Sequence, residues 1–398
     1  MSSMAACSWG NSRCIRAPAS TPSATQNWKR TGPGFGICAK AGSCRRGSQA
    51  GAGSMPGRLR RILTPQTGRA TQRPTSFRFG TGGRAGPMSH AIFRAVNLWG
   101  FLRHPRLVEK FRRKTGHFPN IASPRTVQEK FLWRKIFDHD PRFVRVQDKL
   151  GAKEYARRKA AGIGIPATLW VGTDLADAPP ELLQQPGMLK ANHSCGTNIA
   201  LPDATRSPEA LRRLANGWLR EGYGRRKGEW AYAGIERKLF IEEMLRPSDG
   251  GPPGEIKVHA CAGQIIVWSY GKQHATYRTV NFFHPDGTRL VSKGGDRIAE
   301  PESAPSRGVE KVLAAAKKIS AEFDYVRVDT YLVDGRIYTG EMTIYNRSGF
   351  PSMGDEDLFR RWARLWDLRK SRFLSTPQKG WRGHYARALR AHLDSRGG

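Results

Sequence analysis

With 398 residues, the chain is long enough for a substantial core, and its 67 Lys and Arg against 33 Asp and Glu leave a net charge of +34. That excess favours anionic partners such as phosphates, nucleic acid, acidic glycans or an anionic membrane face, and it disfavours basic ones. The charge is unevenly spread: residues 1 to 87 hold 14 Lys or Arg and no acid, while the remaining 311 residues keep +20.

Residues 1 to 87 are crowded with Gly, Ser, Pro, Thr and Ala. Such a segment cannot bury enough apolar surface to offset chain entropy, so a disordered basic leader is expected, followed by a body over 88–398. Met88 reads as a natural start, with the leader as an over-extended frame; a transit peptide matches the composition but not the missing amphipathic pattern. Cys7, Cys14, Cys38 and Cys44 lie in the leader, and only Cys195 and Cys261 in the body. Their spacings match no zinc module, so a reduced, cytoplasmic protein is expected. No apolar run approaches the roughly 18 residues needed to span a bilayer. Aromatic-basic interleaving and DNA-reading motifs are absent, so nucleic acid is not the expected partner.

In the body, residues 91 to 111 form a basic, mixed apolar stretch that reads as one amphipathic helix, packed on the body or lying on an anionic membrane. A second helix is predicted over 126–137 with Ser123 as cap, and a third over 148–161. Extended segments follow at 167–171 and on either side of a mobile loop after Lys190. A helix capped by Ser207 covers 208–221. Strands are then predicted at 238–242, 255–260 and 264–270, a helix at 309–323, and a β-hairpin over 326–343. Several strand pairs are hairpin-like, which makes the class α+β with antiparallel sheets.

The hairpin carries acids near the far ends of both arms. Alternating β-branched and aromatic residues flank Asp334-Gly335, with Asp329 on one arm and Glu341 on the other. A two-residue turn would set Asp329 opposite Gly340 and send Glu341 to the other face. A three-residue turn with Gly335 in a left-handed bulge would pair Asp329 with Glu341, within reach of one cation; this bulged turn is the expected form.

Lys149 at a helix start, Lys190 at a strand end and Lys257 within a strand can each reach phosphate oxygens. Together with Glu242-Glu243-Met244-Leu245 and the paired-acid hairpin, their order makes a series of parts. That series resembles the ATP-grasp superfamily, specifically the TupA-like amidoligases linked to teichuronopeptide-type cell-surface polymers, over about 119–366. The residues that carry the resemblance are Glu129-Lys130-Phe131-Leu132-Trp133, Asp138-His139-Asp140-Pro141, Asp148-Lys149, Lys190-Ala191-Asn192-His193 and Glu229-Trp230-Ala231-Tyr232. Glu242-Glu243, Glu255-Ile256-Lys257, Arg327-Val328-Asp329, Glu341-Met342-Thr343 and Ser348-Gly349-Phe350 complete it.

The resemblance implies two α+β subdomains clasping ATP between antiparallel sheets. It implies that Lys149 and Lys190 meet the phosphates under a loop containing Asn192, Ser194 and Gly196. Glu242, Glu243, Met244 and Leu245 would hold the adenine and Glu255 the ribose. Asp329, Glu341 and Thr343 would hold Mg2+, with Thr343 where relatives often use Asn. Arg327 and Lys257 would serve the acyl-phosphate side. The implied activity is carboxylate-amine ligation, with an amino acid and an acidic glycan as substrates. The loop here reads His193-Ser194-Cys195-Gly196-Thr197, against a Gly-Ser-Gly core in relatives. A glycosyltransferase and a basic nucleic-acid-binding protein are the rival readings; the first would use a nucleotide-sugar, the second would bind through the leader.

Overall fold

The computed structural model describes residues 87–273, 278–290, 308–351 and 355–395. Residues 1–86 of the expected leader lie outside the described residues. The helices are α1 (Pro87–Arg103), α2 (Pro105–Thr115), α3 (Val127–Ile136), α4 (Pro141–Gln147), α5 (Lys149–Lys159), α6 (Pro180–Gln184), α7 (Pro208–Trp218), α8 (Val309–Ser320), α9 (Glu356–Leu365), α10 (Arg372–Ser375) and α11 (Trp381–Asp394). The strands are β1 (Thr168–Gly172), β2 (Gly187–Ala191), β3 (Asn198–Leu201), β4 (Leu239–Glu243), β5 (Gly254–Cys261), β6 (Gln264–Gln273), β7 (Arg278–Phe283), β8 (Arg289–Leu290), β9 (Val326–Val333) and β10 (Arg336–Thr343).

Two antiparallel sheets form, as the α+β reading expects: a small one ordered β1-β4-β2-β3 and a large one ordered β10-β9-β5-β6-β7-β8. In the small sheet, Leu189, Leu239 and Ile241 pack on Leu211, Ala215 and Trp218 of α7. In the large sheet, Ile256, Val258, Val326 and Val328 alternate onto a face covered by Val312, Ala316 and Ile319 of α8. Period-two alternation sends the intervening residues, Glu255, Lys257, Arg327 and Asp329, to the opposite face. Gly164 joins the linker after α5 to β10: its N–H donates to Ile337 O at 2.8 Å and its carbonyl accepts from Thr339 N at 2.9 Å.

Local chemistry explains the element ends. Thr126, not Ser123, caps α3: its hydroxyl accepts from Glu129 N, and Glu129 accepts in return from Thr126 N, a reciprocal capping box. Residues 91–111 are two helices rather than one, because Pro105 has no N–H to continue α1 and the chain restarts at α2 after His104. Ser207 caps α7 as expected, and Asp148 caps α5.

The expected three-residue turn is not formed. Arg336 pairs with Val333, and Asp334 and Gly335 take φ of 47° and 74°, the two-residue turn that suits the twist of a hairpin. The extra residue sits farther along β10. The ladder runs regularly to Thr339 opposite Thr330 and resumes at Met342 opposite Val328, so Gly340 and Glu341 together face Asp329 as a β-bulge. A Cβ at position 340 would stand 2.9 Å from the Asp329 carbonyl oxygen, so glycine is needed there.

Behind the large sheet, Arg134 of α3 is buried. It donates to Asp324 Oδ1 at 2.6 Å and to Ile344 O at 3.0 Å, and its guanidinium lies 4.6 Å from the Trp366 ring centroid. The Trp366 indole N–H donates to the other Asp324 oxygen at 2.6 Å. Arg134 thus ties α3 to the foot of β9 and the end of β10. Truncating Arg134→Ala leaves Asp324 buried without its cation, a loss of about 3–5 kcal/mol that chemical denaturation would read. Nearby, burial and the neighbouring Asp324 push the Asp138 carboxyl up to about 7. The folded state therefore holds a proton that the unfolded chain releases, and the stability this group contributes is lost as pH rises from about 4 towards 7. Asp138→Asn, which keeps an acceptor for Phe373 N, should gain in melting temperature over the parent at pH 8 and not at pH 4.

Candidate active site

The opposite face of the large sheet carries a chain of alternating charges. Lys257 stands directly across from Asp329. Its ammonium donates to Asp329 Oδ2 at 2.7 Å and to Glu255 Oε1 at 2.5 Å. Arg327, two residues before Asp329 and so on the same face, grips that carboxylate with Nε and Nη2, both at 2.6 Å. Arg327 Nη2 also reaches Glu341 Oε1 at 3.3 Å, and its Nη1 donates to Asn346 Oδ1 at 2.8 Å. The bulge is what turns Glu341 to this face. Burial alone would push Asp329 up, but Arg327 and Lys257 pull it down to about 2. Conversely, Asp329 and Glu341 outweigh burial at Arg327 and raise it further, so both stay charged.

The two acids differ in access. The Asp329 side chain is 2% exposed and engaged at both oxygens, whereas Glu341 is 36% exposed with one cationic contact. Thr343 lies opposite Arg327 in the ladder. Among the described residues, no cluster of three or more His, Cys, Asp or Glu is placed to hold a metal. Two carboxylates on one face fit a magnesium ion that takes its other ligands from phosphate and water, and not a closed protein cage.

The second lip comes from α5 and the small sheet. Lys149, the first residue of α5, donates to Ala191 O at 3.1 Å and to Ser194 O. Burial lowers its pKa, and the charge of Glu341 offsets this in part; α5 itself packs against β10. Lys190, at the end of β2, is ion-paired with Glu242 of β4. Glu242 also takes Lys153 at 2.6 Å. Burial would raise the Glu242 carboxyl, but Lys190 and Lys153 bring it below its ordinary value. Glu243 ends β4, its N–H donating to Ala167 O at 2.9 Å; Met244 and Leu245, half-buried, carry the chain out of the small sheet towards β5.

The loop between β2 and β3 is organised by its own polar groups. The Asn192 amide donates to Asp148 Oδ1 at 3.0 Å and to Glu236 O at 2.9 Å, and its Oδ1 accepts from Lys238 N at 2.8 Å. Its side chain is therefore engaged in folding the loop onto α5, while Cys195 and Asn198 of the loop are exposed. The Ser194 hydroxyl likewise bonds Thr197 Oγ1 at 2.5 Å. Gly196, with φ of 79° and nothing within 4 Å of where a Cβ would be, is the open point of the loop. His193 faces Trp218 O at 3.1 Å and burial lowers its pKa; it is not paired with Cys195. His259 is buried, shares a hydrogen bond with Tyr325 at 3.1 Å, and is pushed down to about 3, so it is neutral packing.

Two participants, Lys153 and Asn346, escape a reading by motif, and a third, Glu229, belongs to a motif that gives it no role. Lys153 lies one helical turn after Lys149 and joins it at the same lip, a spacing that could have singled it out. Asn346 anchors Arg327 from beyond the hairpin, just before Arg347, Ser348 and Gly349, which all have positive φ; no pattern in the sequence marks it. Glu229, buried, accepts from the Ser348 hydroxyl at 2.5 Å and fixes that left-handed turn beside Arg327.

A family model described as TupA-like ATPgrasp matches residues 129–361. No curated protein matches the chain. Among solved structures, it is similar to the D-alanine–D-alanine ligase of Bacillus anthracis at 17% identity and a TM-score of 0.32, over 62% of this chain and 67% of that one. It is similar to the L-amino acid ligase of Bacillus licheniformis at 13% identity and a TM-score of 0.31, over 51% of this chain and 42% of that one. N5-carboxyaminoimidazole synthase of Aspergillus clavatus gives 16% identity and a TM-score of 0.30, over 50% and 44%. The family match takes in more than half of the chain, which belongs to the TupA-like ATP-grasp family and is an enzyme of the ATP-grasp ligase kind.

Proposed function

We propose that the protein joins a carboxylate to an amine at the expense of ATP, through an acyl phosphate. The arrangement that supports this best is a pair of charge systems joined where α5 packs on β10: Lys149 and Lys190 on one side, and the Lys257–Asp329–Arg327–Glu341 chain on the other. A nucleotide triphosphate between them would meet cations from both sides. Lys190 and Lys257 are each paired with a carboxylate, a partner that phosphate oxygens could replace. Glu242, Glu243, Met244 and Leu245 would hold the adenine and Glu255 the ribose.

Asp329 and Glu341, with Thr343 beside them, would hold magnesium, which when bound neutralises phosphate charge. The chain's own residues do the rest. Arg327, fixed by Asp329 and Asn346, stabilises charge on the phosphoryl group while a carboxylate oxygen of the substrate attacks the terminal phosphorus and ADP leaves. The amine then adds to the acyl carbon, loses a proton, and phosphate departs, leaving an amide. The loop over 192–198 would exclude water from the acyl phosphate.

The basic body suits an acidic acceptor, so an amino acid and an acidic glycan of a cell-surface polymer are the proposed substrates, handled in the cytoplasm at an anionic membrane face.

Purified protein offered a panel of amino acids and uronic-acid glycans should release ADP with one of them. Asp329→Asn and Glu341→Gln should each lower that turnover by about 100-fold or more. Unchanged turnover in both variants would sink the magnesium assignment, and consumption of a nucleotide-sugar without ADP would contradict ligation. Because burial lowers the Lys149 pKa, its charge is lost as pH rises, at lower pH than for an ordinary lysine. ATP affinity should therefore weaken on the alkaline side, and Lys149→Arg should remove that pH dependence in a calorimetric titration.

A further inference from the structure

Helix α1 has two unlike sides. Its inner side is occupied, with Val96 buried and Ile92, Phe93 and Trp99 packed on the core. Its outer side is a stripe of exposed residues, Met88, Ala91, Ala95, Leu98 and Leu102, spaced alternately three and four apart so that they line one edge of the helix. Met88, Leu98 and Leu102 are 78%, 60% and 74% exposed. Phe118, in the segment after α2, is 62% exposed, and its ring centroid lies 6.0 Å from that of Phe101, so it adds apolar surface beside the last turn of α1.

Cations frame this surface. Residues 87 to 118 contain seven Lys or Arg and one acid, Glu109, and Glu109 is already paired with Arg112 at 3.0 Å and Arg113 at 3.7 Å. Arg94, Arg103, Arg106, Arg113 and Lys114 are all exposed. A second copy of the chain seated on this face would oppose like charges. Residues 1–86, with 14 Lys or Arg and no acid, carry the same sign. Charge complementarity thus selects an anionic occupant, and the apolar stripe selects one with an apolar interior.

We propose that the outer face of α1, continued by Phe118, docks the protein on an anionic lipid bilayer. Leu98, Leu102 and Phe118 enter the boundary between headgroups and acyl chains, and the flanking arginines meet lipid phosphates. This inference does not depend on the ligation reading.

Full-length protein should sediment with vesicles of phosphatidylglycerol and phosphatidylcholine, and far less with phosphatidylcholine alone. Leu98→Ser combined with Leu102→Ser, which leaves every charge and residues 1–86 in place, should weaken binding at least tenfold, with ATP affinity unchanged. Arg106→Gln with Arg113→Gln should reduce the preference for phosphatidylglycerol. The proposal is overturned if the parent does not bind these vesicles, or if the double serine variant binds as the parent does, which would assign binding to the basic leader. It is overturned equally if sedimentation velocity shows a dimer that the serine variant dissolves. ATP affinity is read separately from vesicle binding, so a failed ligase reading would remain distinguishable.

Discussion

One bulge decides which face of the large sheet Glu341 occupies. Along a regular strand Gly340 and Glu341 would face opposite sides, and Glu341 would sit on the α8 side of the large sheet. Setting both residues against Asp329 re-aims Glu341 towards Arg327. The device depends on Gly340, where any side chain would collide with the Asp329 carbonyl. Burial by itself would raise the Asp329 pKa; Arg327 and Lys257 outweigh it and keep the carboxylate ionised, and it keeps them in register. The acid-base-acid chain across β5, β9 and β10 is thus one electrostatic unit, fixed by strand pairing on one side and by the bulge on the other.

The opposing lip is built differently. Lys149 and Lys153 are one turn apart on α5, and Lys190 ends β2, so helix and sheet present their cations together. Asn192 pins the intervening loop to Asp148 and to the segment before β4, which leaves Gly196 as its free point. Lys190 and Lys153 both rest on Glu242. That shared carboxylate links α5 and β2 to the end of β4. Farther back, the Arg134–Asp324 pair and the indole of Trp366 hold α3 and α9 to the foot of the hairpin, so the site stands on a buried anchor and not on loops alone.

Much of this arrangement is legible in the sequence, and the reasons are physical. Alternation and capping residues place β5, β9, β10, α5 and α7 within a few residues, because burying one face of a strand or helix leaves a clear period. The pairing of Asp329 with Glu341 is also legible, but its cause is not. Asp334-Gly335 is compatible with turns of two or three residues, and both can bring the acids together if a bulge is allowed elsewhere. A glycine inside a strand, Gly340, was the available sign. The break at His104–Pro105 follows from proline alone. Asn346 and the left-handed turn after it are another matter: their roles come from tertiary contacts with Arg327 and Glu229, which no local pattern records.

The most direct measurement is a crystal structure of the protein with a nonhydrolysable ATP analogue and magnesium. The account predicts one magnesium ion bound by carboxylate oxygens of both Asp329 and Glu341 at about 2.1 Å, the bulge at Gly340 retained, and Lys149 and Lys190 on the phosphates. A metal bound without Glu341, or a hairpin in which Glu341 turns to the α8 face, would contradict it.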